Sequence, residues 1–249
     1  MTSAPATLTD QHCGDIRWLT DLEARARGLL VAFCDRNGGV GEAPFDSLNV
    51  SVSVGDPRHA AINKERAATA VGFDVASLAQ LHQVHGAEVL ETAPGRSGIQ
   101  GKADGLVARA PGVVLGVLSA DCVPVLLEGR RGVAALHAGW RGLVAGVLER
   151  GVAAVGPVAG AWIGPSIRAC CYEVGNEVMD AFRGAGLPVA GARRVDPSDA
   201  ARAVLTRAGV TNIARSEECT SCSADYFSHR RDGATGRQGS YIALTKPRP

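Results

Sequence analysis

The stretch GVAALHAGWRG, residues 132–142, joins a short apolar run to a histidine and a tight turn. Residues 132–136 are small and apolar, as in a buried strand. The run ends on His137, and two glycines split by Trp140 follow, then Arg141. This pattern predicts a strand over 132–137 that delivers a polar side chain at its end. Three more short apolar runs lie upstream, at 105–108, 112–118 and 124–127, and make a dense β region. Downstream, 143–155 carries a helical pattern.

The rest of the chain mixes strands and helices without strict alternation. GLLVAFC (28–34) reads as a buried strand that ends at DRNGG. LNVSVSV (48–54) alternates strictly and reads as a half-exposed strand. Residues 60–71 are good helix formers. Strands are expected at 78–84 and 88–92, with a Gly-rich loop over 93–104. Beyond the β region a strand is expected at 159–163, and a helix over 172–182 with Glu173 at its positive end. Ser198 reads as the cap of a helix running to Ala208. Late strands are expected at 211–215 and 241–245. No repeat, low-complexity segment or linker divides the chain. The pattern predicts one α+β domain over 1–249, with helices covering locally paired strands and residues 1–27 partly peripheral.

The chain has 249 residues, 46% of them hydrophobic and 20% charged, with a formal net charge of +1. That balance gives no basic footprint for nucleic acid or an anionic membrane. The first residues have neither a basic nor an apolar leader region, and no apolar run is long enough for a bilayer. A cytoplasmic protein is expected. Seven cysteines in a reducing compartment point to thiols or metal ligands rather than a disulfide framework.

Reactive side chains recur at strand ends. His85 follows one strand, Cys122 stands between Asp121 and the next, and His137 ends a third. Two histidines and a cysteine are a normal zinc set, and three protein ligands leave the open position that a catalytic metal needs. The same residues also suit a thiol nucleophile with a histidine base and Asp121 or Asp104 as orienter. Both alternatives need a thiolate beside a histidine, so the sequence leaves them open. The zinc nucleobase-deaminase signature, H-x-E followed by P-C-x-x-C, is absent: Gly-Ala-Glu follows His85 and Glu218 precedes CTSC (219–222). CTSC itself reads as a plain thiol pair. No second pair sits at zinc-ribbon spacing, and Cys170-Cys171 does not supply one.

The segments RNGGVGEAPFDSLNV, HQVHGAEV, KADGLV, SADCVPVLL, AALHAGWRG, IGPSIRACCYEVG and CTSCSADYFSHRRDGATGRQ follow one another in that order. Together they resemble the YfiH family, also called the laccase-domain or polyphenol oxidase family, over residues 36–242. The resemblance implies an α+β fold with a mixed β-sandwich core and flanking helices. It implies purine nucleoside phosphorylase activity with adenosine deaminase activity. It places a metal triad at His85, Cys122 and His137, holding zinc, with copper as the alternative occupant. For that chemistry Arg141 is the first phosphate candidate and Arg36 and Arg231 the next. Trp140 offers an apolar face, Asn49 a bond to ribose or base, and Asp121, with Asp104, a proton carrier. The expected partners are a nucleoside and phosphate, and a monomer is expected. The alternatives are a polyphenol oxidase with one mononuclear copper and a cysteine-type hydrolase editing peptidoglycan precursors. A multicopper site needs many histidines, and the chain has six. The chain departs from the family pattern at residues 50–53, Lys64, Arg168 and His229, none of them in the triad.

Overall fold

Alternation along the central strands sorts the core in the computed structural model, which describes residues 5–245. In β3 (Leu29–Cys34), Leu29, Val31 and Phe33 enter one apolar cluster and Leu30, Ala32 and Cys34 another. In β10 (Gly132–Ala138), Val133 and Ala135 face the first of these, while Ala134, Leu136 and Ala138 face a third. Strands buried on both faces read as continuous apolar runs rather than as alternation.

Among the described residues, thirteen strands form two sheets. The first sheet holds β1 (Thr9–Cys13), β2 (Ile16–Thr20), β3, β4 (Leu78–His82), β6 (Gly98–Lys102), β8 (Val114–Ser119) and β13 (Gln238–Leu244), in the order β1-β2-β3-β13-β8-β4-β6. The second holds β5 (Val89–Thr92), β7 (Gly105–Ala108), β9 (Val123–Gly129), β10, β11 (Val158–Ile163) and β12 (Ile213–Arg215), in the order β12-β11-β9-β10-β7-β5. Parallel and antiparallel pairs occur in both. Phe33, Leu106, Leu115, Leu126 and Trp162 fill the space between the sheets. The helix α2 (Pro57–Val71) covers the outer face of the first sheet through Ala67 and Val71. On the second sheet lie α3 (Trp140–Ala145), α4 (Val147–Val155), α5 (Asn176–Gly184) and α6 (Pro197–Arg207), with Leu143, Val155, Phe182 and Val204 in the shared cluster. Two short helices, α1 (Leu22–Ala26) and α7 (His229–Asp232), complete the fold. It is the mixed sandwich with flanking helices that the family resemblance implies. No helix among the described residues is long and apolar enough to cross a membrane.

Several local expectations are corrected. Residues 48–54 form no strand: the Asn49 side chain accepts from the Ser51 and Arg237 N–H groups and donates to the Ser51 and Val54 carbonyls, and so folds the segment on itself. The loop over 93–104 contains β6. The helix expected at 143–155 is two, divided at Gly146, where φ is +87°. The helix expected at 172 begins at Asn176, and Glu173 instead forms an isolated bridge with Arg194. The α6 cap is Asp196, not Ser198.

The N-terminal segment is tied into the body by one buried carboxylate. Asp21 caps α1 at the Ala24 N–H and also accepts from the Trp162 indole, 2.9 Å in each case, and from the Thr7 N–H. Residues 1–4 and 246–249 of the expected 1–249 domain lie outside the described residues. Asp21→Ala removes the cap and leaves a buried indole N–H unpaired, which should cost about 3 kcal/mol in denaturant-induced unfolding. A loss below about 1 kcal/mol would show that these bonds do not hold the segment.

Candidate metal centre

Three times the chain leaves the first sheet for the second, and each crossing carries a polar site residue. The β4-to-β5 crossing carries His85, the β6-to-β7 crossing Asp104, and the β8-to-β9 crossing Asp121 and Cys122. His137 comes from β10, paired opposite Pro124 of β9. The crossings turn sharply: His85 (φ +60°) and Asp121 (φ +92°) are the non-glycine residues of positive φ among the described residues. Such conformations suit His and Asp better than bulkier types and concentrate at functional sites.

The turns bring one ligand atom from each of His85, Cys122 and His137 within 4.8 Å of one another. The two imidazoles meet nearly edge to face, with centroids 5.0 Å apart. Gly139 gives the ligands room: a Cβ at that position would stand 3.0 Å from the His85 ring and 3.2 Å from the Cys122 sulfur, so those ligands would have to shift. The donor set of two imidazoles and a thiolate fits a borderline-soft ion such as zinc or copper.

Asp104 holds the arrangement. Its carboxylate receives the N–H groups of His85 (2.9 Å) and Gly86 (2.7 Å) and stands 2.8 Å from His137 Nδ1. That contact leaves His137 Nε2 as the ligand atom, the usual carboxylate–histidine–metal order. Burial opposes ionisation of Asp104, yet His137 and the Gly86 and Val84 N–H groups keep its carboxyl below the usual range. Burial would also push the Cys122 thiol up, but His137 and His85 outweigh it and bring it down to about 6. Burial would lower His137, but the Cys122 thiolate and Asp104 raise it to about 9. Each group thus favours the charged form of the other.

The triad lies on the wall of a cavity of about 600 Å³. Lys64, Arg141, Arg230 and Arg237 line it, against Asp121 as the one lining carboxylate. Among the described residues, Lys64, Arg230 and Arg237 form no ion pair with a carboxylate, and Arg141 has only an exposed one with Glu177 at 3.7 Å. Gln80 Nε2 and Ser119 Oγ are buried in this lining without a hydrogen-bond partner. Val52 and Ile99, both largely exposed, form an apolar rim.

Residues 30–245 match the family model described as multi-copper polyphenol oxidoreductase laccase. The chain belongs to this family. It is 41% identical over 233 residues to a purine nucleoside phosphorylase of Streptomyces coelicolor, covering 87% of this chain and 96% of that one. It is 41% identical over 245 residues to a purine nucleoside phosphorylase of Pseudomonas aeruginosa, covering 91% and 98%. The crystal structure of YlmD from Geobacillus stearothermophilus superposes with a TM-score of 0.85 at 31% identity, covering 97% of this chain and all of that one. The family's description speaks of several coppers. In this member only His85 and His137 of the six histidines enter the triad; His82 and His229 lie elsewhere on the cavity lining.

Of the residues singled out in the sequence, the cavity gathers His85, Asp121, Cys122, His137, Trp140 and Arg141. Arg141 stacks over the Trp140 ring at 4.2 Å. Asp121 accepts from the Thr220 hydroxyl (2.6 Å) and the Arg230 N–H (2.7 Å). Three of the singled-out residues are not on the cavity lining. Asn49 is buried in its own turn. Arg36 is spent on the Asp46 carbonyl and carboxylate and lies over the Phe227 ring. Arg231 binds the Thr220, Ser223 and Tyr226 carbonyls and pairs with Asp232. Lys64, Arg230 and Arg237 line the cavity instead. The SHRRDGATGR segment holds both kinds of arginine, and its spacing does not tell them apart.

Since the thiolate is the attacking form, lowering Cys122 from 9.0 to about 6 makes it reactive at neutral pH. In chelator-stripped protein, alkylation of Cys122 should reach half its maximal rate near pH 6, followed by mass spectrometry of the modified peptide. A midpoint at the ordinary thiol value would show that the histidines do not charge this sulfur.

Proposed function

We propose that this chain is a metal-dependent purine nucleoside phosphorylase that also deaminates adenosine, acting as a cytoplasmic monomer. The observation that carries the reading is the cationic lining: four basic side chains against one carboxylate, facing a cavity of nucleoside size. Cations gathered on a cavity wall with few carboxylate partners favour an anionic ligand. The relatives named purine nucleoside phosphorylases support the choice of reaction.

In this reading Arg237, Arg230, Arg141 and Lys64 hold phosphate. Val52, Ile99 and Trp140 flank the base, and Gln80 Nε2 and Ser119 Oγ offer it hydrogen bonds. Phosphate oxygen bonds to C1′ as the C1′–N9 bond breaks, and the bonding pair leaves on the purine, which takes up a proton. Deamination adds water at C6 and releases ammonia, with Asp121 as the proton carrier. His85, Cys122 and His137 would hold zinc, or copper in its place. Bound there, the ion supplies Lewis-acid charge.

A second reading rests on a specific arrangement. Asp104 orients His137 beside a low-pKa Cys122, which also suits a thiol hydrolase acting on peptidoglycan precursors. Chelation separates the two: it abolishes the nucleoside activity and leaves a thiol hydrolase active.

Incubation with adenosine should yield adenine and ribose 1-phosphate only when phosphate is present, with inosine as the deamination product, as read by chromatography. Unchanged adenosine with the metal-loaded protein would sink the reading. Arg237→Gln removes one charge-assisted contact, so KM for phosphate should rise about 10- to 100-fold. KM for adenosine should change far less. Equal effects on both substrates would move phosphate elsewhere in the cavity.

A further inference from the structure

Away from the triad, a second set of metal-ligating side chains converges. The sulfurs of Cys170, Cys171, Cys219 and Cys222 all lie within 4.8 Å of one another. Cys222 Sγ stands 3.4 Å from Cys170 Sγ and 3.2 Å from Cys171 Sγ. Four thiolates around one zinc ion, with Zn–S bonds of about 2.3 Å, stand about 3.8 Å apart. The two Cys222 spacings fall a little short of that value, and all four sulfurs lie within 4.8 Å of one another. The sequence keeps these pairs apart as a plain C-x-x-C and a vicinal pair; the fold brings them to one point.

The scaffold around them is built. A parallel bridge joins Ser166 to Cys219, and the Thr220 N–H donates to the Ser166 carbonyl. The Cys222 and Ser223 N–H groups both close on the Cys219 carbonyl, giving CTSC a tight turn. The Arg168 N–H points at the Cys219 sulfur at 3.4 Å, a donor that favours thiolate over thiol. Arginines clasp the cysteine-bearing turns from outside. Arg194 donates to the Ala169 and Cys170 carbonyls, Arg230 to the Cys171 and Glu173 carbonyls, and Arg231 to the Thr220 and Ser223 carbonyls. Their charge offsets the net −2 of a zinc tetrathiolate. A disulfide would use two of these sulfurs and leave two idle, and Cys222 faces both members of the vicinal pair nearly equally.

We propose that Cys170, Cys171, Cys219 and Cys222 form a second zinc site, closed by four thiolates and structural in role. Four protein ligands leave no open position for substrate. The ion would staple the turn after β11 to the segment that precedes α7. Both reach the cavity: Ile167 and Tyr172 line it, and Thr220 donates to Asp121. This proposal does not depend on the nucleoside reading.

The test is metal content by mass spectrometry of the full chain, purified under reducing conditions from zinc-supplemented cells. Two zinc ions per chain are expected. Cys122→Ser should keep one, and the double substitution Cys170→Ser/Cys222→Ser should keep the other. Cobalt(II) loaded into Cys122→Ser should show the intense sulfur-to-cobalt charge-transfer bands and visible bands of a tetrahedral tetrathiolate. That measurement leaves the cluster untouched, so it holds even where the double variant fails to fold. Metal-free Cys122→Ser with all four thiols open to alkylation overturns the proposal. So does a disulfide between Cys222 and either vicinal cysteine.

Discussion

The Asp104 carboxylate is the constraint on which the site depends. It sits where the chain passes from one sheet to the other, with no solvent contact, and satisfies three consecutive N–H groups, of Val84, His85 and Gly86, together with the His137 ring. A buried carboxylate without those donors would carry a large desolvation penalty. The turn at residues 84–86 and the tautomer of His137 are therefore set by the same group. Two of the ligands, His85 and Cys122, come from crossings between the sheets and His137 from β10, so their separation follows from how the sheets are packed. Phe33, Leu106 and Leu126 between the sheets thus hold the ligand geometry at a distance.

Around this point the arginines divide by what they already bind. Arg36 and Arg231 are engaged by backbone carbonyls and carboxylates. Arg237 binds the Thr235 and Gly236 carbonyls, which do not neutralise its charge, and burial lowers its pKa. Arg230 leaves its charge facing the cavity beside Tyr172. An arginine neutralised by a neighbouring carboxylate has no field left for a ligand; one that meets only carbonyls does.

The β region around 105–137 was legible because strands buried on both faces give continuous apolar runs, and the turn residues after them are glycine or carry reactive groups. His85, Cys122 and His137 stood out for that reason, at strand ends beside sharp turns. Residues 48–54 misled because alternation measures burial, and Asn49 supplied the hydrogen bonds that a partner strand would have given. β6 was hidden by its glycines, at Gly98 and Gly101. β1 was not read because it is largely exposed and carries no apolar run. The free and the bound arginines, and the meeting of residues 170–171 with 219–222, are facts of tertiary packing that local spacing does not carry.

The four outer strands have a consequence of their own. β1 and β6 bound one sheet and β5 and β12 the other, and none exceeds five residues. Thr92 of β5 bonds Gln100 of β6 across one flank, and the Ala6 N–H bonds the Asn212 side chain beside β12 across the other. Exposed strand edges are the usual template for unwanted pairing between molecules. Here a hydrogen bond to a side chain bridges the short edge strands on each flank of the sandwich.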